Sequence, residues 1–158
     1  MKLSTRARYG LRAVIDLGLN SESEAVSLQS IANRQMISVS YLEQLMALLK
    51  KAGIVTSSRG ANGGYKLAKS PDEISVGSVL TVLEGGLDAA SCPGSLDSAH
   101  CEGPGHCVAK LVWEKINESI NNTVNSMMLG DLIRQSRDGN KTVDITKEDD
   151  HEKNNISG

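Results

Sequence analysis

The sequence contains no phenylalanine, and aromatic residues make up only 3% of its 158 positions. Its core must therefore be filled by Leu, Ile, Val, Ala and Met. No segment approaches the roughly 18 apolar residues that a membrane-spanning helix requires. The start, MKLSTRARYG, also lacks an apolar run of the length found in signal peptides. We therefore expect a cytoplasmic protein without a membrane segment, organised as one domain or as a small domain with a dimerisation arm.

Residue combinations typical of enzymes are also missing from the chain. We find no nucleophile with a matching base and acid, no glycine-rich phosphate-binding loop, and no carboxylate pair beyond ordinary surface charges. An enzymatic function is therefore not predicted.

Cysteine is scarce, and all three cysteines lie in the stretch CPGSLDSAHCEGPGHC at residues 92–107. An odd number in a reducing compartment argues against disulfides. Cys92, Cys101 and Cys107 are separated by eight and five residues, so the C-x-x-C pair of zinc knuckles is absent. Because thiolates favour zinc and iron–sulfur clusters, we predict a metal or iron–sulfur site here rather than three free surface thiols.

Three thiolates are one ligand short of the usual four. The fourth ligand can come from the same stretch, from water or from a partner chain. The candidates within the stretch are His106, His100 and an oxygen of Glu102. The residues alone leave this choice open.

The formal net charge of −2 conceals an uneven distribution. Residues 1–69 carry ten Lys and Arg against four Asp and Glu, whereas residues 70–133 carry two bases and nine acids. A basic first half is typical of proteins with an anionic partner, of which nucleic acid is the first candidate. A chance imbalance on a solvated surface is the alternative that charge alone leaves open.

The first fifty residues have the pattern of a helix-turn-helix. A first helix, capped by Ser4 or Thr5, is followed by a short helix, SLQSIANRQM, capped by Ser27. A tight turn then leads into SVSYLEQLMALLKKAG, a longer helix capped by Ser38 or Ser40. A short helix, a tight turn and a longer capped helix together indicate a helix-turn-helix.

A two-stranded wing is predicted directly after this motif. IVTSSR alternates as a strand does, GANGG has turn chemistry, and YKLAK reads as the return strand. Arg59 lies at the tip beside Gly60, where small residues let the backbone approach a phosphate or enter a minor groove. A structural hairpin with an incidental arginine is the alternative. The placement of the wing and the basic first half favour DNA binding.

A helix reading ISVGSVLTVLEGG precedes the cysteines, and a helix of about twenty residues follows them. The long helix carries an apolar stripe at a spacing of four, formed by Val108, Val112, Ile116, Ile120 and Val124 and widened by Leu111 and Trp113. We predict that this stripe packs against a second copy in a two-fold dimer. Burial against the N-terminal module is the alternative.

The predicted fold is mainly α with a small β-hairpin wing. It comprises a winged helix-turn-helix domain over residues 1–84 and a cysteine-rich cofactor stretch over residues 85–107. A dimerisation helix with a short return helix covers residues 108–133. The polar residues 134–158 are predicted to be a disordered tail.

The motifs follow one another in a fixed order over residues 1–133. They are MKLSTRARYGLRA, ISVSYLEQLMALLKKAGIV, SSRGANGGYKLAK and ISVGSVLTVLEG, followed by the cysteines and LVWEKINESI. In this order the chain resembles the iron–sulfur cluster regulators of the IscR family, which are dimeric winged-helix transcription factors.

The resemblance implies roles for individual residues. Those that match the part of the helix entering the major groove are Ser38, Ser40, Tyr41, Glu43 and Gln44. Arg59 matches the wing arginine that reaches the minor groove, and Cys92, Cys101 and Cys107 match three cluster ligands, usually of a [2Fe–2S] cluster in the IscR branch. In a groove, the carboxylate of Glu43 would accept from cytosine N4 but repel phosphate, so it would select sites rather than raise general affinity.

The chain departs from the family pattern in two places, at the position of the fourth ligand and in the first gap between the cysteines. The histidine that the family has three residues after the last cysteine is Lys110 here, and a lysine is a poor ligand at neutral pH. The nitric-oxide-sensing branch takes an acid from the partner's first helix, and that position is Arg8 here. The first gap between cysteines is also longer than in the enterobacterial pattern. His106 is the nearest substitute, and the fourth ligand stays open.

The predicted function is a homodimeric transcription regulator, expected to act as a repressor, that binds a pseudo-palindromic duplex under the control of an iron–sulfur cluster. Genes of cluster biogenesis or stress are the expected targets. One alternative is a regulator without a cluster, controlled by zinc, thiol oxidation or a partner protein. The alternative from another class is a small iron–sulfur redox protein, which would leave the helix-turn-helix and wing unexplained. Salt-sensitive binding to duplex DNA separates the two classes.

Overall fold

The computed structural model describes residues 2–89 and 108–142. Within these ranges the chain forms six α-helices and one two-stranded antiparallel sheet. The elements are α1 (Thr5–Asn20), α2 (Leu28–Gln35), α3 (Val39–Lys51), β1 (Val55–Ser58), β2 (Gly64–Leu67), a 3-10 turn (Pro71–Glu73), α4 (Val76–Glu84), α5 (Val108–Ser126) and α6 (Leu129–Thr142). The predicted fold class, mainly helical with a hairpin wing, is confirmed.

Helix α1 lies at the centre of the N-terminal module and contacts α2, α3, α4, α6 and β2. Its N-cap is Ser4, whose hydroxyl accepts a hydrogen bond from the Ala7 backbone amide at 3.2 Å. Close approach to α4 requires a glycine, because a Cβ on Gly10 would lie 2.3 Å from Cδ1 of Leu83. The core is aliphatic, as the composition predicts, and its largest fully buried side chains are Leu17, Ile31, Leu42, Leu45, Met46, Leu49, Leu83 and Leu129.

The turn between α2 and α3 is set by its first residue. Met36 adopts the left-handed conformation, with φ 55° and ψ 46°, and its amide donates to the carbonyl groups of Ala32 and Asn33. The Ile37 amide then donates to the Ala32 carbonyl at 3.0 Å, which completes the end of α2. Ser38 follows at once as the N-cap of α3. Two capped helices are therefore joined within three residues.

The hairpin pairs Val55 with Leu67 and Ser58 with Gly64 in antiparallel register. Its second strand is also bonded to the loop that precedes α2, since Val26 and Tyr65 exchange two backbone hydrogen bonds of 2.9 and 2.8 Å. Glycine is needed at the start of β2, because a Cβ on Gly64 would lie 2.3 Å from the Val26 carbonyl oxygen. The base of the wing is thus attached to the helical module.

The C-terminal helices join the same core. Helix α5 crosses α4 at Gly77, where an added Cβ would meet the side chains of Asn125 and Val124. Leu129 and Ile133 of α6 are buried, and the Leu129 amide donates to the Ile74 carbonyl at 2.9 Å. Among the described residues, no helix has both the length and the apolar character that crossing a membrane requires.

The prediction of disorder from residue 134 onward is wrong for residues 134–142, which continue helix α6. The sequence indicated only a short return helix ending at residue 133. Two ion pairs hold the longer helix to the N-terminal module, Arg134 with Asp72 at 2.9 Å and Arg137 with Glu22. Residues 143–158 lie outside the described residues.

We predict that Met36→Gly stabilises the protein. The left-handed conformation costs a residue with a Cβ about 1 kcal/mol, and the 90% exposed Met36 side chain contributes little packing in return. The free energy of unfolding, measured by urea titration, should rise by about 1 kcal/mol. Met36→Ala, which keeps the Cβ, should leave it unchanged. An equal gain from both variants would contradict the backbone explanation.

Candidate nucleic-acid interface

Helix α3 presents one buried face and one exposed face. Leu42, Leu45, Met46 and Leu49 are buried in the core. The predicted contact residues Ser40, Glu43 and Gln44 are exposed and follow one another at spacings of three and one, so they share the opposite side. The structure therefore brings three of the five predicted helix contacts together on one solvent-facing surface.

The other two predicted helix contacts have structural partners. Ser38 is exposed and caps the helix, since its hydroxyl accepts a hydrogen bond from the Tyr41 amide at 3.3 Å. Tyr41 is half-buried, and its ring meets the ring of Tyr9 edge to face, with centroids 6.2 Å apart and planes at 89°. Its ring therefore also belongs to the contact between α3 and α1.

The tip of the wing carries the remaining predicted DNA contacts. Arg59 and Gly60 are exposed in the turn between β1 and β2. Gly60 has a φ of 114°, which favours glycine, and its carbonyl accepts from the Gly63 amide at 2.9 Å. The Lys50 ammonium donates to the Ser57 hydroxyl, which links the end of α3 to the first strand. Arg59 thus extends from a turn with a defined backbone.

A polar network that the sequence interpretation missed lies behind this surface. Asp16 of α1 is only 4% exposed, although it carries a charge. Its carboxylate accepts hydrogen bonds from the Arg34 guanidinium at 2.6 to 3.1 Å and from the side-chain amide of Gln35 at 2.8 Å. The only sequence signal is an acid on the apolar side of an amphipathic helix, between Ala13 and Leu17.

Arg34 carries the positive charge of this network. Hydrogen bonding to the Asp16 carboxylate raises the pKa of the Arg34 guanidinium above its usual value, although partial burial opposes the shift. Because a raised pKa favours the charged form, Arg34 stays protonated across the neutral range.

The predicted cofactor ligands Cys92, Cys101, Cys107 and His106 lie outside the described residues, as do His100 and Glu102. Among the residues that are described, no three His, Cys, Asp or Glu side chains lie close enough together to hold a metal ion. The two positions at which the resemblance implied a further ligand are occupied by bases. Lys110 lies in the first turn of α5 with its ammonium 3.6 Å from the Glu114 carboxylate, and Arg8 is exposed on α1.

An exposed face on the second helix of a helix-turn-helix, followed directly by a two-stranded wing, defines a DNA-binding transcription regulator of the winged-helix class. The model of the Rrf2 family, described as an iron-dependent transcriptional regulator, matches residues 3–135. The chain belongs to the Rrf2 family.

Individual relatives agree with this assignment. The HTH-type transcriptional regulator IscR of Vibrio atlanticus is 37% identical over 95% of this chain and 83% of its own length. The solved structure of T. potens IscR is 42% identical, covers 86% of this chain and 88% of its own, and has a TM-score of 0.69. CymR, described as the global cysteine regulator of B. subtilis, is 36% identical, covers 85% and 97%, and has a TM-score of 0.71. The resemblance to the IscR family is confirmed, and these relatives are regulators rather than enzymes.

We predict that Ser38 and Ser40 have separable roles. Ser38→Ala removes the N-cap of α3 and should lower the free energy of unfolding by about 1 kcal/mol. Ser40→Ala removes an exposed hydroxyl that caps nothing, so it should leave stability unchanged but weaken binding to a preferred duplex. Urea titration and DNA-binding titration measure the two effects. Equal stability loss in both variants would contradict the assignment of Ser38 as the cap.

Proposed function

We propose that the chain is a homodimeric regulator that reads a pseudo-palindromic duplex through α3 and the wing, under the control of an iron–sulfur cluster. The observation that carries this proposal is the exposed polar face of α3 formed by Ser40, Glu43 and Gln44. It lies on a helix whose other face is fixed in the core, so these side chains form a rigid reading surface. Arg59 would add a contact from the wing.

Two arguments support control by a cluster: the three cysteine thiolates, and the similarity of the chain to IscR proteins. Three cysteines supply the soft thiolates that iron–sulfur clusters require, and Cys92, Cys101 and Cys107 are the proposed ligands of a [2Fe–2S] cluster. The Rrf2 family is described as iron-dependent, and the relatives from Vibrio atlanticus and T. potens are IscR proteins. A bound cluster supplies redox chemistry. Because Lys110 pairs with Glu114 and Arg8 is a base, we propose His106 as the fourth ligand.

A second candidate function is thiol-based control without a cluster. The observation that favours it is the replacement of the expected ligand position by Lys110, which leaves three thiolates without a matching fourth group. The likeness to CymR, described as the global cysteine regulator of B. subtilis, is compatible with control by thiol chemistry. The targets of the cluster-controlled regulator would be genes of iron–sulfur biogenesis or stress.

The cluster proposal is tested by anaerobic purification, iron and sulfide analysis and a visible spectrum. We expect iron and sulfide in equal amounts with charge-transfer bands in the wild type. His106→Ala should lose or shift these bands, because it removes the fourth ligand, whereas the control His151→Ala should retain them. A protein that stays colourless after reconstitution would overturn the cluster proposal and favour control by thiols, zinc or a partner.

The dimer proposal rests on the two faces of α5. Asn117 and Asn121 are half-buried on the side of α5 that meets the module. Val112 and Ile116 are exposed and lie about 140° away from these asparagines around the helix axis. The exposed apolar face is extended by Val108 and Leu111, with exposed fractions of 73% and 65%, and by Trp113. A contiguous apolar surface of this kind is typical of an interface. A second copy of the same helix would cover it about a two-fold axis.

We predict that Leu111→Glu with Val112→Glu converts the protein to a monomer. Each change would place a charge in the apolar interface, which should weaken dimerisation by at least about tenfold. Sedimentation equilibrium measures the effect, and Gln135→Glu, which adds a charge on the exposed side of α6, is the control. A double variant that remains dimeric while retaining its helical circular dichroism would contradict this interface.

A further inference from the structure

Three residues of α1 face the junction between α2 and α3. Tyr9, Arg12 and Asp16 are spaced by three and four positions, so they form one row along the helix. Each contacts a residue in or beside the helix-turn-helix. The row therefore connects the central helix of the module to the start of the DNA-reading helix.

The buried end of the row is Asp16. Its carboxylate is held by both Nε and Nη2 of Arg34 and by the side-chain amide of Gln35, at distances between 2.6 and 3.1 Å. A buried carboxylate requires such partners, because an unpaired charge in a core is strongly destabilising. The last turn of α2 is thus attached to α1 through a planar, two-point contact.

The exposed end of the row is Arg12. Its Nε donates to Oε1 of Gln35 at 3.1 Å and its Nη2 donates to the Gln35 backbone carbonyl at 3.2 Å. Its guanidinium also lies 5.5 Å from the centroid of the Tyr9 ring, which in turn meets Tyr41 of α3. Gln35 is therefore held from both sides, by Asp16 through its amide nitrogen and by Arg12 through its oxygens.

We propose that Arg12 and Asp16 are positioning residues for sequence-specific DNA binding. They fix Gln35, the residue that precedes the left-handed turn at Met36, and thereby fix the direction in which α3 leaves the turn. We call Arg12, Asp16, Arg34 and Gln35 the polar clamp. In this arrangement Arg12, a basic residue on the surface of a DNA-binding protein, acts through Gln35 rather than by neutralising a phosphate.

The two roles of Arg12 make different demands on its side chain. A phosphate contact needs a positive charge, which lysine also supplies. The clamp needs two donors in one plane, which reach the side chain and the backbone carbonyl of Gln35 together, and lysine does not present them. The variant Arg12→Lys therefore keeps the charge and removes the clamp.

The experiment compares wild type, Arg12→Lys and the control Arg8→Lys, which makes the same change at another exposed arginine of α1. The probes are a duplex selected by the wild-type protein from a random library and an unselected duplex of equal length, each titrated over a range of salt concentrations. We expect Arg12→Lys to lose about tenfold in affinity for the selected duplex, the effect of a lost charged hydrogen-bond pair. Its affinity for the unselected duplex and its salt slope should stay unchanged, and Arg8→Lys should bind as the wild type does.

Several outcomes would overturn the proposal. If Arg12→Lys bound the selected duplex as tightly as wild type, charge alone would suffice. If Arg12→Lys lost affinity equally for the selected and the unselected duplex, Arg12 would be assigned to a contact with the phosphate backbone. The same assignment would follow if Arg12→Gln lowered the salt slope by about one unit, the change expected for one phosphate contact.

A second measurement follows the turn itself. The Ile37 amide, bonded to the Ala32 carbonyl at 3.0 Å, should exchange its hydrogen faster in Arg12→Lys and in Asp16→Asn than in Arg8→Lys. Unchanged exchange would overturn the clamp. The inference rests on the proposed reading surface of α3. A wild type with no preferred duplex would overturn both proposals, whereas a preferred duplex that Arg12→Lys binds fully would overturn the clamp alone.

Discussion

The position of the helix-turn-helix on the rest of the module depends on one buried carboxylate. Asp16 lies within a core that is otherwise aliphatic, and its charge is tolerated because Arg34 and Gln35 supply all the hydrogen bonds that the carboxylate receives from side chains. Apolar contacts between α1 and α2 permit several orientations at similar cost, whereas a two-point contact with a planar guanidinium permits one. A polar interaction therefore supplies the orientation, and aliphatic packing supplies most of the stability.

The C-terminal helices complete this module as well as extending it. Ile133 of α6 packs against Gly18, where a Cβ would lie only 2.4 Å from its Cδ1 atom, so α1 has a notch that this isoleucine fills. The Ala89 amide donates to the Asn117 side chain of α5 at 2.8 Å, and Val108, which follows the cysteine stretch in the sequence, is the first residue of the same helix. Both flanks of the cysteine stretch are thus attached to α5.

Features that depend on neighbouring residues were predicted from the sequence, and features that depend on distant partners were not. The cap of α3, which the sequence places at Ser38 or Ser40, and the hairpin each follow from a few adjacent residues, so local chemistry is sufficient to predict them. The pairing of Asp16 with Arg34 depends on how α1 and α2 pack, which no local pattern contains. The extension of α6 depends on residues still farther apart in the sequence, since Arg137 pairs with Glu22, 115 positions away. For the proposed cluster site, residue type alone indicated the three thiolates. The fourth ligand depends on three-dimensional geometry, which the spacing of the cysteines in the sequence does not encode.

The bridge between Val26 and Tyr65 has a consequence for the solubility of the protein. Tyr65 bonds to Val26 on the side of β2 that does not face β1, so the backbone groups of β2 are occupied on both sides at this point. An unpaired strand edge invites a strand from another molecule and so promotes aggregation. Here the bridge covers the outer edge of β2 at Tyr65, and the exposed positions on the opposite edge, formed by β1, are the polar residues Thr56, Ser57 and Ser58. A projecting wing can therefore remain solvent-exposed without offering a long, apolar template to neighbouring chains.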